Sequence, residues 1–217
     1  MHTKQKGFTL IELLVVITII AIMAIIALPN MNQWIASRRA ASAADQVANV
    51  LRFARSEAIR LNLPVYVCPV QIKKDGNPDQ YCDSDYEGQG LGAFADQNKD
   101  GDYTRGTDIA LRFVIINVNG ETQRVAHQFS VHDFSGEKTS SDLVWSFRPD
   151  GSFGHAASLG DTFAYADGTV KIALTDAAAE DDDSKQARAT VVLIDSGGRV
   201  EVCAKSDTRD LCQYSES

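Results

Sequence analysis

The sequence predicts an α+β chain: one long N-terminal helix followed by an antiparallel β domain. Three observations carry that prediction. Residues 8–28 are an apolar run whose one ionisable side chain is Glu12. From Ala40 to Leu61 apolar residues recur every three or four positions. Beyond Pro64 the period drops to two, and the segments are separated by Asx-Gly and Gly-Gly turns.

A helix of 21 residues, from Phe8 to Leu28, spans roughly 30 Å, the thickness of a bilayer's hydrocarbon core. Pro29 closes that run and is expected to kink the helix by removing a hydrogen bond. Helix signal then resumes. Ala40, Ala44, Val47, Leu51, Ala54, Ala58 and Leu61 form one stripe, with Gln46, Asn49, Arg52, Ser56 and Arg60 on the other side. Asn62-Leu63-Pro64 ends it. The reading is one helix over 8–61, its first half in lipid and its second half packed on the β domain.

Strands follow in order. Residues 64–72 read as a strand in which Pro69 marks an edge or bend. Residues 73–90 read as loop, 91–96 as a short strand and 96–108 as a turn-dense link. Residues 110–118 and 123–131 are expected as a hairpin about Asn119-Gly120. Residues 143–155 and 162–174 are expected as hairpins about Asp150-Gly151 and Asp167-Gly168. The acidic stretch 176–186 reads as loop, and 187–204 as a hairpin about Ser196-Gly197-Gly198.

The chain is long enough for one compact domain beyond the apolar helix. Its net charge of −8 argues against general nucleic-acid binding, which needs a basic footprint. His2, Lys4 and Lys6 precede the apolar run, so the leader is expected to stay cytoplasmic and the rest to be exported. Export permits disulfides, and the four cysteines allow three connectivities. The local pairs Cys68–Cys82 and Cys203–Cys212 are favoured, because each staples a polar, turn-rich loop. Zinc is disfavoured, since no Cys-x-x-Cys spacing occurs.

A signal peptide would place its small-residue cleavage site after the apolar region, whereas Gly7 lies before it. A plain anchor leaves Glu12 unexplained, since a carboxylate in lipid costs on the order of 3 kcal/mol. The stretch GFTLIELLVV resembles the processing site of type IV pilins and type II secretion pseudopilins. WSFRPDGSF, VVLIDSGGRVEVC and the Asp-rich ADQNKDGDYTRGTDIALR resemble the GspH/FimT type of minor pilin. The resemblance implies a type IV pilin-like fold in four parts: a cleaved leader over 1–7, a transmembrane and filament-core helix over 8–28, a soluble half-helix over 29–63, and a β domain over 64–217. It implies that a prepilin peptidase cuts after Gly7 and that Phe8 is N-methylated. It implies that Glu12 pairs with the N-terminal amine of a neighbouring subunit. Other minor and major pilins and an inner-membrane assembly platform are the implied partners. The location is then the inner membrane, with the C-terminal domain periplasmic, followed by the cell-surface pilus. A chain cut after Gly7 loses Lys4 and Lys6, leaving 19 basic residues against 29 acidic, a net of −10.

The function implied is a structural subunit that helps initiate the pilus and sits at or near its tip. A type II secretion pseudopilin, a DNA-uptake pilin and a tip adhesin are the alternatives. No cofactor is implied. One ion is a candidate: Asp96, Asn98 and Asp100, with Gly101 at the sixth position, resemble the start of a calcium loop, although Thr107 stands where a bidentate glutamate belongs. The competing reading is a polar turn. Arg199 is a candidate DNA contact, because some pilins of this type use a Gly-Arg-x-Arg motif. Glu201 replaces the second arginine and shares a strand face with Arg199, so DNA binding is not expected. Arg188 and Lys205 are the cations that could reinforce Arg199. His127 and His132 fall on opposite faces of one strand, and no nucleophile or phosphate-loop motif occurs, so no enzyme is expected. Trp34 and Trp145 read as packing residues.

Overall fold

The computed structural model describes residues 8–118 and 122–215, without the side chains of residues 26–30. Helix α1 runs from Leu10 to Leu61. Asn62 ends it in the left-handed conformation, φ 55°, which an asparagine tolerates. The strands are β1 (Val65–Ile72), β2 (Pro78–Tyr81), β3 (Gly90–Ala95), β4 (Ile109–Ile115), β5 (Val125–His132), β6 (Lys138–Ser140), β7 (Val144–Phe147), β8 (Phe153–Ala156), β9 (Ala164–Tyr165) and β10 (Thr169–Asp176). A short helix α2 (Asp182–Arg188) precedes β11 (Thr190–Asp195) and β12 (Val200–Val202).

Among the described residues these strands form two antiparallel sheets. One has the order β4-β3-β1-β7-β8-β9, with β2 added to the end of β1; the other is β12-β11-β10-β5-β6. The inner faces of both sheets close on the second half of α1. Ala40, Ala44, Val47, Leu51, Ala54 and Ala58 are all fully buried, so the stripe read from the sequence is the contact face. Its alanines let the strands approach the helix backbone. Val65, Val67, Trp145 and Phe147 face α1 from one sheet, and Val170, Ile172, Val192 and Ile194 from the other. The two sheets also touch directly, where Phe129 meets Trp145 edge to face at 5.3 Å.

Pro69 sits where a missing N–H does least harm. β1 pairs with β7 only through Val67, and with β2 only from Val70, so Pro69 lies in the gap between them. Gly198, φ 74°, meets a different demand: a Cβ there would lie 3.2 Å from the Gly151 carbonyl. The 148–152 and 195–199 turns therefore pack backbone to backbone.

Four expectations require correction. The Asn119-Gly120 hairpin does not form, because β4 pairs with β3 and β5 pairs with β10 in the other sheet; the turn itself lies outside the described residues. Nor does the Asp167-Gly168 hairpin, because β9 pairs with β8 while β10 joins the second sheet. The stretch 73–90 contains β2 and a single 3₁₀ turn at Ser84–Tyr86. The acidic stretch 176–186 contains the start of α2, where Asp181 caps the helix by accepting from the Ser184 N–H at 2.8 Å. Asp182 and Asp183 sit in its first turn, where acidic side chains complement the helix dipole. The hairpins β7–β8 and β11–β12 form as expected.

Disulfides join Cys68 to Cys82 and Cys203 to Cys212. The second holds the C-terminal tail against the outer face of the second sheet, where Cys203 and Cys212 pack with Ala173, Val191 and Leu193. Replacing both Cys203 and Cys212 by serine should cost about 2–3 kcal/mol, the entropy of a short closed loop. Hydrogen exchange should rise in residues 203–215 and not in α1; faster exchange in α1 would show that the tail supports the main core.

Candidate functional site in the N-terminal helix

The first turn of α1 is closed by a capping box. Thr9 Oγ1 accepts from the Glu12 N–H at 3.3 Å, and Glu12 Oε2 accepts from the Thr9 N–H at 3.0 Å and from the Thr9 hydroxyl at 2.9 Å. Sequence reasoning missed Thr9, although Thr-x-x-Glu is the signature of that motif. The Glu12 carboxylate is thus folded onto the positive end of its own helix, two residues from where the helix begins.

From Phe8 to Ile25 the large apolar side chains point all around the helix and are exposed among the described residues. Phe8 is 88% exposed, Leu10 81% and Ile25 73%. Burial begins at Ala36. Trp145 packs as expected, but Trp34 does not: it is 60% exposed, with the Arg38 guanidinium over its ring at 5.3 Å. Among the described residues no helix is long and apolar enough to cross a membrane. The span expected over 8–28 extends into residues 26–30, whose side chains lie outside the described set, as do the leader 1–7 with Gly7 and the side chain of Pro29. The helix assignment is continuous through position 29.

The Asp-rich link brings together Asp96, Asp100 and Asp108, whose ligand oxygens lie within 4.8 Å of one another. Asp108 replaces Asn98 in the expected trio, and the Asn98 amide donates to Asp100 at 2.6 Å. Asp96 accepts from the N–H groups of Lys99 and Gly101, and Asp108 from those of Gln97 and Thr104. These carboxylates already organise their own loop.

Arg199 is exposed on the β11–β12 turn. The cations expected beside it are engaged elsewhere. Arg188 pairs with Asp176 at 2.7 Å, and the Lys205 amine donates to the Ala187 and Ala189 carbonyls. Glu201 is held by Arg209 at 2.5 Å, and Arg209 also binds Asp207. Arg52 of α1 also reaches this strand, donating to the Val200 carbonyl at 3.2 Å. His127 lies inward beside Phe129, and His132 outward on Ser130, so the strand separates them.

Residues 43–198 match the profile of the family described as type II transport protein GspH. The chain belongs to the GspH family. Residues 2–28 of this GspH-family chain match the prokaryotic N-terminal methylation motif. A type IV major fimbrial protein FimA of Dichelobacter nodosus is 34% identical over 108 residues, 50% of this chain and 55% of that protein. Another FimA of that organism is 54% identical over 41 residues, 19% of this chain and 26% of its own length. The chain thus spans about half the length, or less, of these relatives. Crystal structures of the type IV minor pilin FimU of Pseudomonas aeruginosa are similar at TM-scores of 0.43 and 0.41, with 16% and 17% identity. They cover 78% and 76% of this chain and 92% and 94% of theirs.

Proposed function

We propose that this chain is a structural, non-enzymatic minor pilin that helps initiate type IV pilus assembly and sits at or near the pilus tip. The observation that carries the reading is the asymmetry of α1. Its second half is buried between two sheets, while the large apolar side chains from Phe8 to Ile25 lie on every side of the helix and are exposed among the described residues. Such a surface needs lipid or other subunits. The methylation motif over the same residues supports both, in sequence. The membrane stores the subunit, because a helix satisfies its own backbone groups there. Assembly then moves that helix from the inner membrane into the filament, beside other minor and major pilins and through an assembly platform. Glu12 sets the register by pairing with the methylated amine of a neighbouring Phe8.

Processing supplies the first test. A prepilin peptidase cutting after Gly7 requires that small residue, so Gly7→Ser should leave the whole population at precursor length on an immunoblot. A mature-length product from that variant would remove the cleavage step from the proposal.

The family description favours a second reading, a type II secretion pseudopilin. Deleting the gene distinguishes the two. Loss of twitching motility with normal protein secretion supports the pilus, and the reverse supports the secretion system.

A further inference from the structure

The outer face of the seven-stranded sheet, turned away from α1, carries a ladder of rings. Phe163 meets Tyr66 at 5.4 Å, Tyr66 meets Phe94 at 5.4 Å, Phe94 meets Tyr103 at 5.1 Å and Tyr103 meets Tyr81 at 4.3 Å. Tyr66 and Phe94 are buried, whereas Tyr81 and Tyr103 are half-buried. The ladder ends in an open cleft of about 680 Å³ walled by Tyr81, Tyr103, Lys73, Asp79, Gln80 and Arg105.

The aromatic end of this cleft is held in place from several sides. Gln80 and Cys82, which flank Tyr81, have φ of 35° and 60°, a region side-chain-bearing residues seldom adopt. The disulfide to Cys68 holds Cys82, and its N–H donates to the Pro69 carbonyl at 2.8 Å. The Tyr81 ring lies over Gly92, where a Cβ would come within 2.5 Å of a ring carbon. Burial pushes the Tyr81 phenol up to about 12, so it stays a hydroxyl. Asp79 bonds Lys73 at 2.7 Å, which holds its carboxyl below the usual range and keeps it an acceptor. Strained backbone beside a cleft is a common mark of a binding site.

We propose that this cleft binds a pyranose oligosaccharide, with the C–H face of a sugar ring on Tyr103 and its hydroxyls on Asp79, Gln80 and Arg105. The charges decide against a polyanion, since Lys73 and Arg105 are matched by Asp79 and the adjacent Asp75. The polar rim decides against an apolar helix. An aromatic platform edged by planar carboxylate, amide and guanidinium groups suits a ligand that is apolar on its faces and hydroxylated at its rim. The site requires no assembled filament, so its test is independent of the pilus reading.

The full chain, in micelles of a detergent without a sugar headgroup, is applied to an array of defined oligosaccharides. Bound members are then examined by saturation-transfer NMR. At least one pyranose oligosaccharide should bind, with saturation strongest at the C–H protons of one ring face. Tyr103→Leu should weaken it severalfold to about tenfold, the worth of one aromatic contact, while Tyr103→Phe stays within about twofold. Arg105→Ala, at an exposed position, should weaken binding severalfold, and the exposed Phe134→Ala should not. The proposal is overturned if no oligosaccharide binds, if binding is indifferent to Tyr103→Leu and Arg105→Ala, or if extended peptides occupy the cleft in preference to sugars.

Discussion

Glu12→Ala should leave the subunit processed and membrane-held but remove it from filaments. The observed cap and the proposed pairing together set the size of the effect. Within the subunit it completes a capping box with Thr9, and losing a cap costs about 1 kcal/mol. Between subunits, breaking one member of a buried charge pair costs roughly 3–5 kcal/mol, a factor of about a thousand in the equilibrium. Thr9→Ala separates the two, because it removes the cap and leaves the charge. The expectation is near-normal incorporation for Thr9→Ala and a collapse for Glu12→Ala, read as the subunit's share in sheared surface fractions against membranes. Equal piliation in Glu12→Ala and the parent would end the pairing role, and equal losses in both variants would assign the whole effect to the cap.

Asn117→Leu should be among the most damaging single changes in the β domain. Asn117 is buried just beyond β4 and makes four bonds to backbone. Its amide donates to the Gly88 and Val125 carbonyls at 2.9 and 2.8 Å, and its oxygen accepts from the Arg124 and Val125 N–H groups at 2.9 and 3.1 Å. It fastens the point where the chain leaves one sheet for the other. Leucine has a similar shape and none of these groups, so it strands buried backbone donors and acceptors at about 1–3 kcal/mol each. A total near 4 kcal/mol is a large part of a typical domain's stability and corresponds to roughly 10 °C in Tm. Thermal unfolding of the full chain in detergent measures it; a shift under about 2 °C would mean that the crossing is fastened elsewhere.

Asn117 also shows why part of the fold was hidden in the sequence. The helix was legible because period and burial are local properties, and Ala40 to Leu61 state their contact face in the spacing alone. The hairpins at Asp150-Gly151 and Gly197-Gly198 were legible because each turn joins two strands of one sheet. The same chemistry at Asn119-Gly120 and Asp167-Gly168 misled, because the strands before and after each dipeptide belong to different sheets. A turn dipeptide reports a reversal, not the partner the next strand takes. Helix α2 was missed because an acidic run was read as solvated charge, when Asp181-x-x-Ser184 carried a helix start. In the candidate assembly element, Glu12 stood out as the one ionisable residue of an apolar run, but the cap it forms with Thr9 was not read, although the Thr-x-x-Glu spacing carried it. The pairing of Glu201 with Arg209 and the meeting of Tyr81 with Tyr103 depend on residues 8 and 22 positions apart and on loop paths that no periodicity encodes.

The grip of two sheets on α1 has a mechanical consequence. Any tension applied to residues 8–35 enters the β domain along the helix axis. From Ala36 to Leu61 the helix runs about 40 Å between sheets that hold it from two sides. A pull along that axis must slide every alanine contact at once, in shear, instead of peeling one contact after another. At the far end Asn62 turns the chain straight into β1, which lies inside its sheet between β3 and β7. The helix is thus anchored like a rod in a long sleeve, and tension on its N-terminal part should stretch that part before it extracts the rod.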